Sequence, residues 1–193
     1  MILKTRGILK YPSGHQFIFA NPKMVIWITG ISGSGKTTVA TRVYEKIKQQ
    51  KKETVFLDGD QFRYIMNNDL KYTLDDRDTN AIRMTRTCKI LSDQEINVIC
   101  GANLTSQKYR DWCRDNIEGY FEVFLDVPMD VLKKRDIKGL YKRAISGEID
   151  NVVGVDIPFI KPKSPDLIID NSKDLSDFSD KIETIIDSSK ILL

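Results

Sequence analysis

The chain has 193 residues, 41% hydrophobic and 30% charged, which suits one compact α/β domain with at most a short appendage and excludes wholesale disorder. Its 30 basic and 27 acidic residues leave a net charge of +3, too balanced for a dedicated nucleic-acid or membrane-surface protein. No apolar run approaches the roughly 18 residues that span a bilayer, so no membrane partner is expected. The start, with Lys4, Arg6 and Lys10, lacks the apolar core of a secretory signal. Cys88, Cys100 and Cys113 form an odd set without metal-type spacing, which reads as free thiols in a reducing cytosol and a cytoplasmic protein. The single histidine, His15, excludes a site built from several histidines.

Residues 1–23 read as an N-terminal extension. Ile8 to Phe19 carries β-type residues broken by Pro12-Ser13-Gly14, the pattern of a small hairpin. From Met24 onward the pattern becomes regular, and 24–193 reads as the main domain. Met24 to Ile28 is a continuous apolar run, as in a strand buried on both faces. Gly30 to Lys36 is glycine-rich, and Thr37 to Gln50 follows as an amphipathic helix with Val39, Ala40, Val43 and Ile47 on one face. Thr54 to Leu57 is a second strand and Thr79 to Asp93 a helix. Ile96 to Cys100, Phe121 to Asp126 and Leu167 to Ile169 are further strands, and Asp174 to Ser189 is a closing helix. Strands alternating with helices predict a parallel sheet with helices on both faces. The segment 135–165 is polar and lacks periodicity, which reads as a lid.

Gly30-Ile31-Ser32-Gly33-Ser34-Gly35-Lys36-Thr37 matches the phosphate-loop pattern GxxxxGK[ST] between a strand and a helix. Glycines let backbone N–H groups curl around phosphate oxygens at a helix N-terminus. Lys36 is expected to reach the β- and γ-phosphates of ATP, and the Thr37 hydroxyl to ligate Mg²⁺. The fold class is therefore α/β, a P-loop NTPase-type sheet. Asn171-Ser172-Lys173-Asp174 is a near miss to a base-reading NKxD and reads as coincidence. Asp58-Gly59-Asp60 puts two carboxylates at the carboxyl end of the second strand, where such sheets bind ligands. One can order Mg²⁺ waters while the other orients a hydroxyl, and Arg63 can clamp an anion.

These residues resemble the adenylylsulfate (APS) kinase family, without gaps over roughly Met24 to Asn171. The carrying segments are Gly30 to Thr38, Leu57-Asp58-Gly59-Asp60 with Arg63, Asp76-Arg77 with Asn80, Phe121 to Pro128, and Arg135-Asp136 through Lys138-Gly139-Leu140-Tyr141-Lys142-Arg143-Ala144 to Gly147-Glu148-Ile149, running on to Gly154 and Asp156. The resemblance implies an ATP-dependent kinase that phosphorylates the ribose 3′-hydroxyl of a nucleotide conjugate. It implies catalytic roles for Asp60, Lys36 and Asp58, with Thr37 and Asp58 at the metal. It places ATP on Gly30, Ser32, Gly33, Ser34, Gly35, Lys36, Thr37, Thr38 and Arg135. The acceptor falls to Arg63, Tyr72, Arg77, Asn80, Lys138 and Leu140, and a homodimer is implied.

The chain departs from the family pattern on the acceptor side. Ile82 stands where an arginine is usual, Gly101-Ala102-Asn103-Leu104-Thr105 where Ser-Phe-Ile-Ser-Pro is usual, and Asp150-Asn151-Val152-Val153-Gly154 where Lys-Gly-Phe-Thr-Gly is usual. Leu104 thus replaces a serine, and Val152 replaces an aromatic that stacks on the acceptor base, a contact worth roughly 1–3 kcal/mol. A rewritten acceptor side beside an intact ATP side leans toward the branch of the family that acts on cytidine diphosphoramidate in capsule phosphoramidate synthesis. Sulfate activation with adenylyl sulfate is the alternative. A non-catalytic nucleotide-binding module would have lost Asp58 and Asp60, and a kinase for a non-nucleotide acceptor would not need Arg63, Arg77 and Asn80.

Overall fold

The computed structural model describes residues 7–10, 16–19, 23–136, 139–173 and 178–191. Strands β1 (Gly7–Lys10) and β2 (Gln16–Phe19) pair antiparallel, with Gly7 opposite Phe19. The residues between them, with Pro12-Ser13-Gly14, lie outside the described set, as do Lys138 and the first residues of the predicted closing helix. The main sheet is five-stranded and wholly parallel. Its strands are β3 (Val25–Thr29), β4 (Thr54–Asp58), β5 (Asn97–Gly101), β6 (Tyr120–Asp126) and β7 (Leu167–Asp170), in the order β4-β5-β3-β6-β7. The helices are α1 (Lys36–Gln50), α2 (Gly59–Ile65), α3 (Leu74–Asp93), α4 (Gln107–Asn116), α5 (Met129–Arg135), α6 (Leu140–Ile145) and α7 (Ser179–Ser189).

The central strand explains the layering. Every residue of β3 is buried, and strand alternation sends neighbours to opposite faces. Ile26 and Ile28 pack with Val39, Val43 and Ile47 of α1 and with Ile182, Ile185 and Ile186 of α7. Val25 and Trp27 pack on the other face with Met84 and Cys88 of α3 and Tyr109 and Cys113 of α4. Each such side chain contributes about 1.5–3 kcal/mol by leaving water. The Trp27 indole Nε1–H donates to the Ala102 carbonyl at 2.9 Å, so its one polar atom is satisfied in the core. The three cysteines are buried free thiols, as expected.

The elements that differ from sequence expectation have local causes. Helix α3 begins at Leu74 instead of Thr79, because Thr73 caps it by accepting from the Asp76 N–H and Asp75 and Asp76 complement the first turn. Helix α4 carries Arg110 on its buried stripe beside Tyr109 and Cys113, and a charge there hides the apolar periodicity. The segment 135–165 is less irregular than its composition suggests. It holds α6, and Tyr141, Val152, Val153 and Ile157 are buried in a third apolar cluster with Ile31, Val127 and Leu132.

Arg110 is 0% exposed and Glu122 of β6 is 1% exposed. Arg110 Nε donates to Glu122 Oε1 at 2.9 Å, and its Nη2 to the Leu104 carbonyl at 2.5 Å. Arg114 adds a bond to Glu122 Oε2 and pairs with Asp166, whose carboxylate accepts from the Glu122 backbone N–H. Burial pushes the Glu122 carboxyl above the usual carboxylate range while Arg110 and Arg114 pull it back. Removing one partner strands the other. Arg110→Met is expected to destabilise the fold by about 3–5 kcal/mol in urea titrations, and adding Glu122→Met to recover most of that loss.

Candidate functional site

The site lies along the carboxyl ends of the parallel strands, where α/β sheets bind ligands. The chain leaves β3 through Gly30 and curls through the phosphate loop into α1. Gly33 and Gly35 have φ of +77° and +91°, in the left-handed region that favours glycine. A Cβ on Gly35 would come within 2.7 Å of Asn171 Nδ2. The Ser34 N–H donates back to the Ile31 carbonyl, and Lys36 Nζ reaches across the loop to the same carbonyl at 2.9 Å. Ser32, Thr37 and Thr38 are exposed on the loop's open side, and Ser34 is buried beneath it.

Two clamps hold this loop from below and from the side. Asn171, fully buried just after β7, donates Nδ2–H to the Ser34 carbonyl at 2.7 Å, and Lys181 of α7 donates to Asn171 Oδ1 at 2.6 Å. Tyr141 of α6 donates its hydroxyl to the Ser32 carbonyl at 2.7 Å, and burial pushes that phenol up to about 12, so it stays a donor at neutral pH. Sequence reasoning missed both. In the sequence Asn171 falls inside a near miss to a base-reading motif, and its burial shows only in the fold. Tyr141 appeared only inside the resembling segment.

At the end of β4, Asp58 does two things at once. Its Oδ2 accepts from the Thr37 hydroxyl at 2.8 Å. Its Oδ1 accepts from the N–H groups of Asp60 and Gln61 at 2.9 and 3.3 Å, capping α2. Gly59 packs against Ala102, where a Cβ would stand 3.4 Å from the alanine Cβ, and Asp60 follows it exposed on the first turn of α2. The oxygen pair of Thr37 and Asp58 is a hard donor set suited to Mg²⁺ with waters and phosphate oxygens completing the shell. Among the described residues no three His, Cys, Asp or Glu converge as a separate metal cage.

Beyond α2 lies a cluster of cations around one ring. The Arg63 and Arg77 guanidinium carbons lie 4.8 and 5.4 Å from the centroid of the Tyr72 ring, and Tyr72 is 51% exposed. Arg63, buried, donates Nη1–H to the Lys71 carbonyl at 2.8 Å. Arg77 donates Nε–H to the Tyr72 carbonyl at 2.8 Å and Nη2–H to the Asn151 carbonyl at 2.7 Å. Burial and the neighbouring Arg63 charge lower the Arg77 pKa. Asn80 is buried one turn further along α3, its Nδ2 against Met84 Sδ at 3.5 Å and its Oδ1 without a donor. Leu140 packs on the third apolar cluster. Val152 is 4% exposed in that cluster, and Leu104 is buried as well, so neither presents a side chain to the cleft. Arg135 sits apart, donating Nη2–H to the Ser172 and Lys173 carbonyls at 3.0 and 2.8 Å. The arrangement thus joins an anion cradle, a carboxylate on a helix start and a cationic wall.

A parallel five-stranded sheet with a phosphate loop leaving its central strand defines a P-loop nucleotide-binding fold. The chain belongs to the adenylylsulphate kinase family, whose model matches residues 22–170. It is 40% identical over 166 residues to the cytidine diphosphoramidate kinase of Campylobacter jejuni subsp. jejuni serotype O:2, covering 86% of this chain and 96% of that one. It is 38% identical over 151 residues to the adenylyl-sulfate kinase of Halothermothrix orenii, covering 78% and 82%. Among solved structures, the Mycobacterium tuberculosis APS kinase CysC in complex with AMPPNP and APS superposes with a TM-score of 0.78 at 32% identity, covering 88% and 99%. The chain is therefore a kinase, an enzyme that transfers phosphate from ATP. No helix among the described residues is long and apolar enough to cross a membrane.

The Asn171 clamp makes a direct test of the loop's support. Asn171→Ala is expected to weaken binding of a non-hydrolysable ATP analogue roughly tenfold by calorimetry, because the Ser34 carbonyl and Lys181 both lose their partner.

Proposed function

We propose that the protein phosphorylates the ribose 3′-hydroxyl of a nucleotide conjugate, with cytidine diphosphoramidate as its acceptor, in the phosphoramidate decoration of a capsule. The observation that carries this reading is an asymmetry. The phosphate side is complete, with loop, clamps and the Thr37–Asp58 pair in register. The acceptor side has lost a ring: Val152 is turned into the apolar cluster beneath Tyr141, and Tyr72 stands among two guanidiniums. A pyrimidine, smaller than adenine, needs less stacking surface. The 40% identity to the Campylobacter enzyme over nearly its whole length supports the same acceptor.

In this reading Gly30 and Ser32 to Thr38 cradle the ATP phosphates, and Arg135 packs near the adenine. Lys36 leaves the Ile31 carbonyl to neutralise charge developing on the transferred group. Asp60 accepts or orients the proton of the 3′-hydroxyl, and no covalent intermediate on the protein is needed. Mg²⁺, held by Thr37 and by Asp58 directly or through water, would add charge neutralisation at the phosphates. Arg63, Tyr72, Arg77, Asn80, Lys138 and Leu140 hold the acceptor, and the segment 135–165 closes over it as a lid to exclude water. The catalytic unit is 24–193, consistent with a family match that starts at residue 22. Residues 1–23 are an extension, and the working form is a homodimer in the cytoplasm.

Adenylyl sulfate is the second reading, favoured by the 38% identity to adenylyl-sulfate kinases and by the retained Arg63, Arg77 and Asn80. A coupled ADP-release assay with Mg-ATP separates the two. A higher kcat/KM for cytidine diphosphoramidate than for adenylyl sulfate is expected, and the reverse order would assign the enzyme to sulfate activation. With the better acceptor, Asp60→Asn is expected to lower kcat by roughly 10²–10⁴-fold with little change in KM for ATP. Full turnover by that variant would remove Asp60 from the proton transfer.

A further inference from the structure

Residues 150–157 form a strap with two anchors of different kinds. Its inner face is apolar: Val152, Val153 and Ile157 are buried with Ile31 of the phosphate loop, Val127 and Tyr141. The strap also touches the loop through Gly154, with φ of +93°, where a Cβ would stand 2.6 Å from Ile31 Cδ1 and 3.1 Å from Met129 Sδ. The turn is closed on itself by the Gly154 N–H to the Ile157 carbonyl at 2.7 Å and a bridge between Val153 and Ile157. Its outer anchor is polar. The Asn151 carbonyl accepts from Arg77 Nη2 at 2.7 Å, across 74 positions of sequence.

What holds that carbonyl in place is Asp156. Its Oδ2 accepts from the Asn151 N–H at 2.5 Å and its Oδ1 from the Val152 N–H at 2.6 Å. Asn151 itself has φ of +61°, a left-handed conformation that a non-glycine residue keeps only when its surroundings fix it. With its Val152 N–H held by Asp156, the trans Asn151–Val152 peptide turns its own carbonyl the opposite way, toward Arg77 of α3. Those amide bonds and the nearby Arg77 charge keep the Asp156 carboxyl below the usual carboxylate range, so it accepts both bonds across the neutral range. Arg77 is then held by two main-chain carbonyls, those of Tyr72 and Asn151, with its guanidinium beside the Tyr72 ring. Donation from two of its nitrogens to two main-chain carbonyls fixes the plane of the guanidinium.

We infer that Asp156 is a positioning residue for the acceptor: through the Asn151 carbonyl it fixes the guanidinium of Arg77, and it thereby ties the acceptor wall to the phosphate loop on which the strap is seated. This rests on the reading of Arg77 as an acceptor-binding residue. Asp156 touches no reacting atom, so its removal acts on where the acceptor sits.

The test is a set of steady-state measurements on the full chain with Mg-ATP and whichever of cytidine diphosphoramidate and adenylyl sulfate the wild type uses better. Asp156→Ala is expected to raise the acceptor KM about tenfold and to leave the ATP KM within about twofold. Asp156→Asn, which keeps one accepting oxygen, is expected to recover to within about threefold of wild type. Combining Asp156→Ala with Arg77→Ala is expected to cost no more than Arg77→Ala alone, because the effect passes through that one side chain. An unchanged acceptor KM in Asp156→Ala, equal rises in both KM values, or full additivity with Arg77→Ala would each overturn the inference while leaving the functional reading intact. A wild-type enzyme that turns over neither nucleotide acceptor would overturn both.

Discussion

The carboxylate of Asp58 joins the two halves of the site. One oxygen takes the Thr37 hydroxyl from the start of α1, and the other takes the first amides of α2. The phosphate loop and the helix that presents Asp60 are therefore registered to each other through a single side chain at the end of β4. An ionised acceptor with four lone-pair sites can bridge in this way, and a neutral side chain of similar size cannot fill all of them. The strand beneath supplies the rigidity: β4 pairs with β5 along its whole length, so Asp58 lies opposite Gly101, and Gly59 fits against Ala102.

The alternation of strand and helix was legible because buried parallel strands are runs of apolar residues, as in Val25 to Ile28. The phosphate loop was legible because its parts are contiguous. What stayed hidden shares a physical character. Helix α4 buries an arginine, and the charge masks its stripe; the cause is Glu122, 12 positions away on β6. The first turn of α3 rests on a threonine cap and on acidic residues, not on apolar spacing. The valines of the strap are buried by Ile31 and Tyr141, which no local pattern announces. Arg63, Arg77 and Asn80 come from two helices, and Arg77 meets the distant turn at Asn151, so their grouping is visible through resemblance to a family and not through spacing. Asn171 is the opposite case: its neighbours mimic a base-reading motif, while its buried amide donates to Ser34 and accepts from Lys181.

The site is held by main-chain atoms to an unusual extent. Arg63, Arg77, Arg135 and Tyr141 all donate to backbone carbonyls. Carbonyl partners position a cation without cancelling its charge, which leaves the positive potential of the cleft available to anions. The carboxylates in the region, Asp58 and Asp156, are in turn occupied by backbone amides and a hydroxyl. Asp58 and Asp156 thus spend their oxygens on the main chain and a hydroxyl, and the charge of Arg77 reaches Asp156 through space.

The link from Lys181 through Asn171 to the Ser34 carbonyl gives α7 a standing its position does not suggest. This helix packs on the face of the sheet away from α3. It is nevertheless the floor joist under the phosphate loop. Its seating on Ile26, Ile28 and α1 sets the height at which the loop's amides stand. A change in how α7 is seated would therefore reach the Ser34 carbonyl through two side chains that lie outside the loop itself.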